Sequence, residues 1–267
     1  MKQSTFIKSA VLAGSVLFAG FGFAGDAAPK AAITVAPSSD LAVNFGVGYT
    51  DEYVWRGINR GNDLFEASIG ASGNGSFGGL GDINLSAGLW IGTFSGEVET
   101  NTIGVTRYGP VFETRSAHEL RINMEASRSL GCFDLAIGVT NYSFFGSHAG
   151  VDDILEPYVA LGTELAGLDL AIGFYDDYNN TNRIGDDDTY IEITAGRSVD
   201  LGGLGLDVQG VIGSWDTFDN VYYGLSVGLP IAASDSITVT PHASAVFGDT
   251  FDDDDEFTAG VKLGFGF

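Results

Sequence analysis

The chain has 267 residues, with 39 glycines, 19 phenylalanines, 10 tyrosines and 45% apolar residues, a composition that excludes a disordered chain and leans towards β structure. Its 12 Lys and Arg face 35 Asp and Glu, a formal charge of −23, which excludes a basic nucleic-acid face and makes cations the natural small partners. Cys132 is the single cysteine, so an internal disulfide and a multi-cysteine metal site are both excluded.

Lys2 and Lys8 precede an apolar run over 10–23 that is too short to cross a bilayer as a helix and is followed by small residues suited to cleavage. This pattern predicts a Sec signal peptide over 1–24. Residues 25–40, rich in Ala, Pro and Ser, read as a flexible lead-in, and 41–267 as one domain.

From residue 41 the hydrophobic pattern has period two. Leu41, Val43, Phe45, Val47 and Tyr49 alternate with small or polar residues, as do Ile83, Leu85, Ala87, Leu89 and Ile91, and Phe257, Ala259, Val261, Leu263, Phe265 and Phe267. Successive strand side chains point to opposite faces, so each segment carries one apolar and one Gly/Ser/polar face. Twelve such segments are predicted: 41–50, 64–73, 82–93, 117–128, 132–145, 154–165, 167–177, 188–199, 204–215, 220–231, 236–247 and 256–267. The fourth has the least certain start, because 97–108 also alternates and would extend the third strand or form a hairpin of its own. Pro241 falls in mid-strand, where a lost donor predicts a local bulge.

The connections alternate in kind. Tight, Gly-rich ones (74–81, 129–131, 166–167, 200–203, 232–235) take turns with longer, mostly acidic ones (51–63, 94–116, 146–153, 178–187, 216–219, 248–255). An even strand number with short turns at one end and long loops at the other predicts an all-β fold: a transmembrane up-and-down antiparallel barrel in the bacterial outer membrane, with short periplasmic turns and acidic extracellular loops. Lipid demands the closure, since unpaired backbone groups in hydrocarbon cost several kcal/mol each. Outward-phase aromatics at the strand ends, such as Tyr49, Phe65, Phe174 and Tyr223 near the long loops and Phe133 and Phe265 near the short turns, read as interfacial girdles. Phe267 resembles the carboxy-terminal signal read by the barrel-assembly machinery. Expected partners are therefore that machinery, outer-membrane lipid and lipopolysaccharide, and small solutes or cations, with no nucleic acid.

The lumen would receive the small residues, among them Gly46, Gly48, Gly70, Gly88, Gly138, Gly162, Gly173 and Gly196, leaving space for a narrow aqueous pore. A lumen plugged by a folded-in loop, with 94–116 as the candidate, is the alternative. Charged inward positions are mostly acidic: Asp82, Asp134, Asp169 and Asp207 follow short turns, while Glu66, Glu119, Glu156 and Glu192 lie towards the opposite mouth. Rings of carboxylates favour cations. Arg121 and Lys262 are basic exceptions expected to pair with acids across the lumen. No cofactor is expected beyond loosely bound Ca²⁺ or Mg²⁺, for which Asp186, Asp187, Asp188, Asp252, Asp253, Asp254 and Asp255 are loop candidates that would bridge lipopolysaccharide phosphates.

One stretch resembles a family. VGYTDEYVWRGINRG (47–61) and GLWIGTFS (88–95) resemble motifs of the TorF-like (Gcw_chp) outer-membrane porins, with Tyr53, Arg56 and Gly57 on the pattern, while Asn59 and Trp90 depart from it where Ser and Tyr are usual. The resemblance implies a porin barrel; by phase, Arg56 would put a guanidinium at the extracellular mouth among acidic neighbours. The expectation is thus passive diffusion of small solutes, cations favoured, and no enzymatic activity. A non-conducting anchor or adhesin is the first alternative. A lipid hydrolase, needing a Ser–His pair on the lipid-facing surface, is the second, with His118, His148 and His242 the only histidines.

Overall fold

The computed structural model describes residues 41–76, 82–99, 112–146, 153–178, 189–215, 220–248 and 255–267. The expected signal peptide, the lead-in, residues 100–111 of the proposed plug, His148, Asp186, Asp187, Asp188, Asp252, Asp253 and Asp254 lie outside them. The strands are β1 (Leu41–Trp55), β2 (Ile58–Ser76), β3 (Asp82–Glu99), β4 (Phe112–Leu130), β5 (Phe133–Gly146), β6 (Ile154–Leu165), β7 (Leu168–Asp176), β8 (Thr189–Asp200), β9 (Gly205–Trp215), β10 (Asn220–Gly228), β11 (Ile231–Ser234), β12 (Ile237–Gly248) and β13 (Glu256–Gly266). No helix occurs among the described residues.

Each strand pairs antiparallel with its neighbour, and β1 closes on β13 from Asn44↔Gly266 to Thr50↔Gly260. β10 and β11 both pair with β12, in one register on either side of Leu229 and Pro230, so they form one interrupted stave. The sheet is therefore a closed twelve-stave barrel with thirteen named strands. Residues 97–99 extend β3, one of the two outcomes expected for that stretch.

Alternation sorts the side chains as a membrane barrel requires. Ile172, Ile193 and Ile212, neighbours across β7, β8 and β9, are 48%, 49% and 47% exposed on the outside. Thr140, Ser226 and Thr240 are buried inside. A water-soluble fold has the reverse arrangement. Outer aromatics pair across strands, with ring centroids 4.9 Å apart for Tyr49 and Phe65 and 5.7 Å for Phe45 and Phe265.

Pro241 makes no bulge. The register of β12 on β13 is unbroken from Ile237↔Phe265 to Val246↔Glu256. The Pro241 carbonyl accepts the Leu229 N–H at 3.0 Å, so the missing donor of the proline faces the same way, onto the gap between β10 and β11 where the ladder is already interrupted.

The larger correction concerns 51–63, expected as a loop. β1 runs on through the strand-forming residues Tyr53, Val54 and Trp55, turns in two residues, Arg56 and Gly57, and returns as β2 from Ile58. Both turn residues have positive φ, 51° and 78°, the combination that a tight type I′ hairpin needs. The register shifts at Arg60, between the pairs Tyr53↔Gly61 and Val54↔Asn59, and again against β3 between Asn62 and Phe65, where Asp63 has a φ of 56°. Bulges of this kind bend a hairpin away from the wall that carries it.

Candidate functional site

The bent hairpin crosses the lumen. Arg56, at its tip, is 3% exposed, and its Nη1 donates to Glu156 Oε2 on β6. Its guanidinium carbon lies 4.1 Å from the ring centroid of Tyr190 on β8, 4.6 Å from Tyr175 on β7, 4.8 Å from Trp55 and 5.4 Å from Trp215 on β9. Trp215 Nε1 donates to the Arg56 carbonyl at 3.1 Å. β6 to β9 are the staves opposite β1 in strand order, so the tip reaches the far wall. Desolvated cation–π contacts contribute up to about 2 kcal/mol each, and the charge is matched by Glu156, to which Tyr142 also donates at 3.0 Å.

A second charged knot lies on β4. Arg121 Nε donates to Glu119 Oε1 at 2.5 Å and Arg121 Nη2 to the Tyr53 hydroxyl, which donates to Glu119 Oε2 at 3.2 Å. Arg121 also stands 4.4 Å from the Trp90 ring. A third pair is Lys262 with Glu66 at 3.2 Å, and Trp90 Nε1 donates to the same carboxylate at 2.7 Å. Glu125 and Glu192 are held by phenols: Tyr158 donates to the first at 2.7 Å, and Tyr175 and Tyr190 to the second at 3.1 and 2.9 Å. Asn59 on the returning strand donates to Glu256 at 3.0 Å.

The sequence-named residues thus separate into two groups. Arg56, Glu66, Glu119, Arg121, Glu156, Glu192 and Lys262 gather in the half nearer the long loops, in three ion pairs and a tyrosine network. Asp82, Asp134, Asp169 and Asp207 keep the inward phase at the opposite rim, on β3, β5, β7 and β9. Ser129 donates to Asp134 at 2.5 Å and Ser198 to Asp207, while Asp82 and Asp169 are exposed. Phe267, 74% exposed, exchanges backbone hydrogen bonds with Val43 where the barrel closes. Asp255 is exposed, and no cluster of three candidate metal ligands occurs among the described residues.

The inward tyrosines and tryptophans went unread in the sequence, although parity carried them. Tyr175 and Tyr222 adjoin the outward Phe174 and Tyr223, so they must face in. They also correct, for glycines beside such rings, the expectation that inward glycines leave space, whereas a Cβ at Gly196 meets nothing closer than 3.4 Å. A Cβ on Gly138 would lie 2.3 Å from Tyr158 Cζ, and one on Gly213 2.2 Å from Tyr222 Cε1, because these rings lie flat across the neighbouring backbone.

No protein-family model and no curated protein matches the chain. Solved structures align with it: a KdgM porin at 8% identity over 85% of this chain and 99% of that one, with a TM-score of 0.47. The outer membrane phospholipase A from Escherichia coli aligns at 16% identity over 84% and 89%, with a TM-score of 0.47. The NanC porin aligns at 10% identity over 84% and 98%, with a TM-score of 0.46. At such identities and scores, function has to be read from this chain's own residues. The motif residues that resemble the TorF-like porins, Tyr53, Arg56 and Gly57, all lie in the hairpin that crosses the lumen.

Proposed function

We propose that the chain is a channel of porin type in the bacterial outer membrane, exported by a signal peptide, inserted by the barrel-assembly machinery with Phe267 in its recognition signal, and passing small solutes by passive diffusion with cations favoured. The observation that carries this reading is the inversion of the barrel: a continuous skin of exposed Leu, Ile, Val and Phe outside, polar and carboxylate-rich inside. Such a skin suits acyl chains, and closure leaves no free sheet edge in them. Of the inward bases, Arg56, Arg121 and Lys262 are each matched by a carboxylate, while Arg60 on the hairpin lies over the Trp55 ring at 4.5 Å. Glu125, Glu192 and the four rim aspartates then leave the path negative, which concentrates cations and repels anions. The hairpin sets the narrowest level. The loop aspartates, Asp255 included, would hold divalent cations against lipopolysaccharide.

The test is the reversal potential of the refolded protein in a planar bilayer under a KCl gradient. K⁺ preference is expected; Cl⁻ preference would overturn the carboxylate reading. One observation favours a second reading, a non-conducting anchor: the hairpin tip is tied to the far wall by an ion pair and a hydrogen bond. Absence of any ion flux would decide for it. Of the two histidines among the described residues, His242 faces inward with Nε2 3.3 Å from Thr50 Oγ1, whereas His118 stands on the outer face with Nδ1 3.0 Å from Thr93 Oγ1, a threonine where the lipid hydrolase reading needs a serine.

A further inference from the structure

Arginine is an unusual residue for the place Arg56 holds. A φ of 51° at the first central position of a two-residue turn favours Asn, Asp or Gly, so the side chain has to repay a strained backbone. It does so inside a cage. Tyr175, Tyr190 and Trp215 present ring faces to the guanidinium carbon within 5.4 Å, and Glu156 takes one edge. All four come from β6 to β9, which are paired to one another independently of the hairpin. Only Trp55 among the contacting rings arrives with the tip. Arg56 Nε is buried with no hydrogen-bond partner among the described residues, so the cage grips the flat cationic head and makes no use of the atom that joins it to the chain.

We infer that Tyr175, Tyr190, Trp215 and Glu156 form a binding site for guanidinium-bearing and similar flat organic cations, and that Arg56 is a tethered ligand occupying it. This deepens the channel reading by naming a solute class. A free cation of that shape meets the same ring faces and carboxylate as Arg56 does, and it competes with a ligand whose local concentration the hairpin keeps high. The register shifts at Arg60 and Asn62 are where the hairpin would bend as its tip leaves. Occupancy of the cage by a solute would then coincide with displacement of the bar across the lumen.

The direct experiment uses Arg56→Gly, a residue that suits positive φ and keeps the turn. The refolded full barrel is titrated with guanidinium chloride in the low millimolar range at fixed ionic strength, with NaCl as control, while tryptophan fluorescence is read. The variant is expected to show saturable binding at about tenfold lower guanidinium than the wild type, and Arg56→Gly with Glu156→Gln to lose about tenfold of that gain. A glycine variant that answers guanidinium no differently from the wild type, or no differently from Na⁺, overturns the inference. Should it fail to refold, Arg56→Lys replaces it: a tip without the planar fork should yield to guanidinium severalfold more easily than Arg56, and equal resistance overturns the inference. Reversal potentials on the same preparations separate the two readings. Cation selectivity without guanidinium binding removes the cage and leaves the channel, whereas binding without ion flux keeps the cage and removes the channel.

Discussion

The two halves of the lumen are built on the same backbone and filled differently. On β6, Glu156 and Tyr158 near the long loops give way to Ala160 and Gly162 towards the short turn; on β8, Tyr190 and Glu192 give way to Thr194 and Gly196. On β3 the order is reversed with the strand, from Ser86 and Gly88 up to Trp90 and Phe94. The hairpin tip enters the aromatic half alone, and there Tyr142, Tyr175, Tyr190, Trp215 and Tyr222 are all 5% exposed or less. Strand number and alternation therefore fix where a side chain points, while its volume decides whether the lumen is open at that level. A twelve-stave barrel is wide enough to need filling, and here one end is filled with rings and paired charges.

If that contrast is real, disturbing the two halves should have unequal effects. The largest is expected for Arg121→Met, which leaves Glu119 buried and uncompensated; a loss of about 3–5 kcal/mol in urea unfolding from liposomes is expected, whereas Ser86→Ala in the small-residue half should change stability by less than about 0.5 kcal/mol. Next comes the distinction between the barrel's two faces. Ile193→Arg places a charge in the outer skin at mid-strand and should cost about 2–4 kcal/mol by the same assay. Its inward neighbour Thr194→Arg should be much better tolerated and should shift the reversal potential towards anions, because its side chain enters the lumen. The smallest and cleanest pair is glycine to alanine. Gly138→Ala forces the Tyr158 ring from its stack on Tyr175, 5.4 Å away, at about 1–3 kcal/mol. Gly196→Ala meets nothing closer than 3.4 Å and should stay within about 0.5 kcal/mol. Equal costs for Gly138 and Gly196 would erase the contrast.

The barrel itself was legible because its signal repeats: strands that alternate apolar and small residues can only present a skin and a lining, and Ile172, Ile193 and Ile212 stand on the predicted side. The charged residues were legible by phase. Their partners were legible only in part: Arg121 pairs with Glu119 two residues away on its own strand rather than across the lumen, whereas Arg56 with Glu156 and Lys262 with Glu66 join strands distant in sequence. The hairpin was obscured by its composition. Asp51, Glu52, Arg56, Asn59, Arg60, Asn62 and Asp63 read as a polar loop, and nothing local says that Tyr53 will pack on Trp90 and Phe94 of β3 or Trp55 on Tyr142 of β5 and Trp215 of β9. The Pro241 bulge failed for a similar reason: the break that absorbs its missing donor lies on another stave.

The most direct test of the account is single-channel conductance with and without the bar across the lumen. Tyr53 and Gly61 are cross-strand partners, so replacing 54–60 by Asn-Gly closes a short hairpin that no longer reaches β6 to β9. The account predicts a small, cation-preferring conductance for the intact chain and a severalfold larger one for the shortened hairpin. Identical conductance in the two would contradict it.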